Sequence, residues 1–228
     1  MTTTSLSFAG TLRSELHGTW SVPALRWLVL LAAPAAALTT IAAAHFSPGI
    51  AVASGSMVGG AVLALVGGLS IAGEYATGAV RTTVTAAPRR TALFLAKSLA
   101  VVLIGLAVGW VGGLVGAAAN GILGSAALSV LATGPAVAAT GLFGLFLGFL
   151  IRRVAPTAVT AVFGLFLVSG LLGGVRIGDG YLTDSLFTDS TVALVAGTPD
   201  WSQPFGTVAL WLAVAGVAAA VRLRRSDV

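Results

Sequence analysis

The stretch Thr91–Gly116, TALFLAKSLAVVLIGLAVGWVGGLVG, holds one charged side chain, Lys97, in an otherwise apolar run. Roughly 20 apolar residues carry a helix across about 30 Å of hydrocarbon, so this run predicts a membrane span. Five further runs read the same way: Leu25–Ala44, Ala51–Ala72, Leu128–Ile151, Ala155–Val175 and Phe205–Val221. The whole chain agrees, since 57% of its 228 residues are hydrophobic, 8% are charged and the mean hydropathy is +1.02. A soluble domain with a wetted surface does not have this makeup. The expected fold class is an all-α integral membrane protein: six transmembrane helices over residues 25–225, preceded by an interfacial segment, residues 1–24.

The breaks between runs are chemically distinct. His45-Phe46-Ser47-Pro48-Gly49 stops the first, and Asn120-Gly121 marks a turn after the third. A cytoplasmic loop is expected over residues 74–90 and an outer loop over 176–204. In the N-terminal segment Phe8, Leu12 and Leu16 recur every fourth residue, with Arg13, Glu15 and His17 off that stripe. This pattern reads as an amphipathic interfacial helix, the alternative being a disordered tail. Ala35-Ala36-Ala37 imitates a signal-peptidase site, but a long polar stretch precedes the run and the run is long enough to span.

With both termini in the cytoplasm, Arg176 is the only basic residue left outside, while Arg26 and Trp27 anchor the first span at the interface. Helix contacts are expected where small residues recur: Gly105, Gly109 and Gly113 in the third span, Gly60 and Gly68 in the second, and Gly144 with Gly148 in the fourth. Thirty glycines make some such spacings a matter of chance.

Much chemistry is absent from the sequence. There is no cysteine, and the two histidines, His17 and His45, form no metal cluster with the outer aspartates. Ser54, Ser56 and Ser169 have no base to activate them, so no catalytic residue and no metal site is expected. The net charge of +5 is scattered between apolar runs, which speaks for topology and against nucleic acid. Glu74, Lys97 and Arg152 fall at expected interfaces, where long side chains snorkel, so ion-coupled transport is not expected. No phosphate-binding Gly-x-x-x-x-Gly-Lys-Ser/Thr loop is present. Any uphill movement would draw its energy from another polypeptide, acting through the loop 74–90. There Val80 and Val84 could form the ridge of a short docking helix beside Arg81, or the loop could be a plain solvated connector.

That loop reads Glu74-Tyr75-Ala76-Thr77-Gly78-Ala79-Val80-Arg81-Thr82-Thr83-Val84, then Pro88-Arg89-Arg90 and Lys97. It resembles the Glu-Tyr-x-x-Gly-Thr-x-Arg-Thr-Thr-Leu stretch of ABC transporter permeases of the type-2 exporter class, especially bacterial subunits encoded apart from their ATPase. Ala79 stands where the family usually has Thr, and Val84 where it has Leu. Glu15 is followed by Leu16, His17 and Gly18 rather than by the family's aromatic residue and lysine. The resemblance extends to the plan of an amphipathic segment, six spans and an outer loop.

What the resemblance implies is a coupling helix after the second span, with Glu74, Tyr75, Val80, Arg81, Val84, Arg89 and Arg90 meeting a separate nucleotide-binding subunit. ATP and Mg would sit in that partner, and this chain would hold no cofactor. It further implies a second permease subunit, identical or related, in a bacterial inner (plasma) membrane, and short capping helices from Tyr181 to Val195. The expected function is export of an amphiphilic or hydrophobic substrate such as a drug, antibiotic, peptide or lipid. A substrate-capturing importer subunit is the alternative, with a passive channel or scaffold third.

Overall fold

The computed structural model describes residues 8–79, 90–172, 175–177 and 180–225. Its helices are α1 (Phe8–Ser21), α2 (Pro23–Ala44), α3 (Ala51–Thr77), α4 (Arg90–Ala119), α5 (Ala127–Ile151), α6 (Val154–Leu172), α7 (Phe187–Ala196) and α8 (Ser202–Arg225). Six of these, α2 to α6 and α8, are long and apolar enough to cross a membrane, and the protein is a multi-pass membrane protein on that ground. In lipid the backbone polar groups must be satisfied inside the segment itself, which is why so apolar a chain is so thoroughly helical.

Local sequence sets the helix ends. Pro23 opens α2 at a position where a missing N–H costs nothing, and Gly78 closes α3 in the left-handed region at φ 74°. At the start of α8, Asp200 accepts hydrogen bonds from the Ser202 backbone N–H at 3.0 Å and its hydroxyl at 2.6 Å. Those bonds hold the Asp200 carboxyl below the usual carboxylate range. Helix α6 departs from the α form, running as π-helix over Thr160–Leu167.

Helices α3 and α5 form the centre. In their most apolar windows 61% and 67% of residues are buried, against 22–44% in the other four spans. Their contact is nearly backbone to backbone, because a Cβ on Gly144 would meet the Ala64 Cα at 2.5 Å. Around it, Phe143, Phe146 and Phe149 of α5 pack with Ile71 of α3 and Ala219 of α8. Gly105 and Gly109 of α4 lie against Ala138 and Thr133 of α5, where added Cβ atoms would stand 2.5 Å from the Ala138 Cα and 2.6 Å from the Thr133 carbonyl oxygen. Gly113 faces the Thr133 hydroxyl, Gly60 faces Thr140, and Gly68 faces Thr157 and Gly144.

The segment after α6 forms a two-residue antiparallel pair, Arg176–Ile177 with Gly180–Tyr181, then a 3-10 turn, Leu182–Ser185, and then α7. Helix α7 packs on α3, α5 and α8 through Phe187, Thr188, Thr191 and Val195. The six spans alternate in direction. Residues 15, 74, 97, 152 and 222 therefore gather at one end of the bundle, called here the proximal face, and α7 sits toward the other, the distal face.

Replacing Gly105 by Leu would force α4 away from α5, since the obstruction is backbone and cannot rotate aside. The expected cost is about 1–3 kcal/mol, read as a lowered unfolding temperature in detergent. Gly170→Ala, where an added Cβ meets nothing within 4 Å, should leave that temperature unchanged.

Candidate functional site

Lys97 lies seven residues into α4, about 10 Å along the axis from its first residue. Its side chain is 4% exposed, so it does not snorkel to water as its place in the sequence suggests. It is neutralised from within the protein. Its ammonium donates to Glu15 Oε2 of α1 at 2.5 Å and to Glu74 Oε1 of α3 at 2.7 Å. A lone buried ammonium would be prohibitively expensive, and two carboxylates at this range remove the penalty while fixing three helices to one point.

Two features of the local sequence bring the carboxylates in. Helix α3 continues to Thr77, past the end expected at Ala72, so Glu74 and Tyr75 are helical rather than part of a loop. Helix α1 turns half-buried Leu12, Glu15, Leu16 and Thr19 toward the bundle, although none of its residues is fully buried. Glu15 thus lies on the packed side, not off it, because its position borders the Leu12–Leu16 stripe closely enough for its side chain to reach inward.

Beside this triad is a cavity of about 440 Å³ lined by residues of α1, α2, α3, α4 and α6. Glu74 contributes one oxygen, Oε2, that is buried and without a hydrogen-bond partner among the described residues. Tyr75, next along α3, faces the neighbouring helix end: the Arg152 guanidinium lies 4.7 Å from its ring centroid. Arg152 itself sits at φ 62°, costly for a residue with a Cβ, and its guanidinium donates to the carbonyls of Phe149 at 3.3 Å and Arg222 at 3.0 Å. Arg152 therefore ties the ends of α3, α5 and α8 together, as Lys97 ties α1, α3 and α4.

Of the residues expected to form a coupling surface, Glu74 and Tyr75 are placed at the proximal end of α3. Val80, Arg81, Val84 and Arg89 lie outside the described residues, and Arg90 is described by its backbone alone, as the first residue of α4. Glu15 and Lys97 belong to the site although sequence reasoning assigned them only to topology and to the face of α1. The signal that could have found them is the 20-residue rule applied strictly: a lysine one-quarter of the way into an apolar 26-residue run needs a counter-ion.

A second cavity, of about 250 Å³, lies between α5, the π segment of α6, α7 and α8. Phe143 stacks on Phe187 at 4.7 Å and meets Trp211 edge-on at 6.0 Å, giving it an aromatic wall. The Thr188 hydroxyl donates to the Leu165 carbonyl at 2.6 Å, satisfying a backbone group within the π segment. No group of histidine, aspartate or glutamate residues that could hold a metal occurs among the described residues.

The sequence matches no protein-family model and no curated protein.

Lys97→Met should be the most damaging single change at the triad, because it strands two carboxylates. Its expected cost is about 3–5 kcal/mol, measured as loss of thermal stability in detergent. Replacing all three together, Glu15→Gln, Glu74→Gln and Lys97→Met, should recover most of that loss, since no unpaired charge is left.

Proposed function

We propose that this chain is the membrane-spanning permease subunit of an ATP-driven ABC exporter, moving an amphiphilic or hydrophobic substrate with the help of a separate ATPase. The observation that carries this reading is the Glu15–Lys97–Glu74 triad. Residues 78–89 join α3 to α4, and the triad clamps the helix ends on either side of them to each other and to α1. A force applied to that connection would reach α3 and α4 as one body rather than dissipate in a hinge. Since α3 and α5 meet at backbone distance along Gly67, Gly144 and Gly148, displacement of α3 carries the central pair with it.

The distribution of charge supports the orientation. Arg152, Arg153, Arg222, Arg224 and Arg225 sit at the proximal face, while Asp184, Asp189 and Asp200 lie at or near the distal one. The positive-inside rule then puts the proximal face in the cytoplasm, where an ATPase would meet it, in the plasma membrane of a bacterium. Helix α1 would lie at the interface as an amphipathic element, its leucines toward α4 and Phe8 and Trp20 outward. The aromatic cavity between α5, α6, α7 and α8 suits a hydrophobic substrate. A second permease subunit, identical or related, would complete the path. ATP and Mg would be held by the partner.

The tagged chain, purified in mild detergent from cells that express it natively, should bring with it a nucleotide-hydrolysing subunit. An Arg81→Ala, Val84→Asp variant should lose it. Two interface anchors worth about 2 kcal/mol each would weaken association well beyond tenfold. Absence of ATPase activity from both eluates would end the exporter reading.

A further inference from the structure

The cavity beneath α1 has a one-sided hydrogen-bonding character. Thr19, Ser21, Ser70 and Thr77 all line it, and each hydroxyl already donates its proton to a carbonyl of its own helix: Glu15 at 3.2 Å, Gly18 at 2.9 Å, Gly67 at 2.7 Å and Gly73 at 3.0 Å respectively. A hydroxyl that has donated its only proton offers the surroundings lone pairs alone. To these acceptors Glu74 adds the buried, unpartnered Oε2. The charges are also unbalanced, two carboxylates against the single ammonium of Lys97. Among the described residues the lining therefore carries one carboxylate more than it has ammonium groups, and more acceptors than N–H donors. For an anion or a neutral acceptor the described lining side chains offer little beyond the third N–H of Lys97, whose other two are taken by Glu15 and Glu74.

Its remaining wall is apolar, formed by Val22, Leu25, Leu69 and Val154. The cavity lies at the proximal ends of α3 and α4, where membrane-length helices leave the hydrocarbon, and its volume of about 440 Å³ falls within the range of small-molecule sites. We propose that this cavity binds the head of an amphiphile bearing a primary ammonium group, which donates to Glu74 Oε2 and the hydroxyl oxygens while its apolar chain runs along Leu25 and Leu69 toward lipid. Filled by an alkylamine the site holds two ammonium groups and two carboxylates, so its charge closes; in a phospholipid the phosphodiester next to the ammonium has to lie outside this acceptor-lined space. Such a head could belong to a bilayer lipid, phosphatidylethanolamine, or to an alkylamine dissolved in the membrane. Both share the recognised chemistry.

The test uses the full chain in phosphatidylcholine nanodiscs, with neither nucleotide nor any partner, so its outcome is independent of the ATPase reading. Dodecylamine, dodecyltrimethylammonium and dodecanol are titrated in turn by calorimetry against empty discs. Dodecylamine should bind saturably. The trimethyl compound, equal in charge but without N–H donors, and the alcohol should bind at least about tenfold more weakly, the worth of one charge-assisted hydrogen bond. Glu74→Gln should weaken the amine by a similar factor.

Should that variant fold poorly, Gly73→Leu keeps every charge. Gly73 lines the cavity and an added Cβ there meets nothing within 4 Å, so a larger side chain can start there without a clash at its root. It should abolish amine binding and leave the ligand-free unfolding temperature unchanged. Equal binding of amine and alcohol, or undiminished amine binding by a folded Gly73→Leu protein, would overturn the proposal. Phosphatidylethanolamine added to the discs identifies the source: an apparent amine affinity of the unsubstituted protein that falls as the lipid fraction rises assigns the site to the lipid, and an unchanged affinity assigns it to the free amine.

Discussion

An ammonium group cannot remain unpaired inside a helix of membrane length, and most of the proximal architecture follows from that constraint. Lys97 is too far into α4 to be left to solvent, so counter-charges have to come from the protein. One comes from α3, which must extend past its apolar run for Glu74 to reach. The other comes from α1, a helix with no fully buried residue of its own and hence little apolar reason to dock. The ion triad supplies that reason. It converts an N-terminal segment of marginal hydrophobicity into a fixed part of the bundle, and it makes the ends of α3 and α4 mechanically continuous.

The rest of the bundle is held by a different kind of interaction. Lipid tails are as apolar as leucine, so burial alone gives helices no reason to associate, and close packing takes its place. Glycine is used for this where backbones meet, as at Gly144 against Ala64 and Gly105 against Ala138. A threonine hydroxyl adds to it: the single proton of Thr133 is shared between Val130 O of its own helix at 2.7 Å and Gly109 O of α4 at 2.9 Å, across the same contact that the glycines make possible. Tight approach and interhelical hydrogen bonding are thus one device. It acts at the centre of the bundle, whereas the ion pairs act at its proximal end.

How legible this was in the sequence depends on the range of the interaction. Six spans could be read directly, because hydrophobic length is a local property, and the described helix ends fall within a few residues of the runs. The end of α3 was misplaced because hydropathy drops at Gly73 while the helix continues to Thr77: backbone hydrogen bonding does not stop where apolarity does. The triad escaped for a deeper reason. Glu15 and Lys97 are 82 residues apart, and nothing in either neighbourhood reveals that α1 folds back over α4. Taken singly, Glu74 and Lys97 looked like interfacial residues and Glu15 like part of the polar side of α1, and only their convergence makes a site. The π segment of α6 gave no signal at all, since TAVFGLFL is as compatible with a regular helix.

The two cavities also constrain any route across the membrane. One opens beneath α1 at the proximal end and the other lies deeper in the bundle beside α7, and they share no lining residue. Between them stand α3 and α5, in contact at backbone distance and filled by Leu63, Val66, Val137 and Leu145, each at most 1% exposed. Opening a channel through that contact would separate the most extensively buried helices of the bundle, which close-packed interiors resist strongly. If the chain transports, the substrate has to pass along an outward surface of the bundle, with a neighbouring molecule forming the far wall. That geometry would give a second subunit, as proposed above, a physical role, since the described residues of one copy offer surfaces for a path and a close-packed interior.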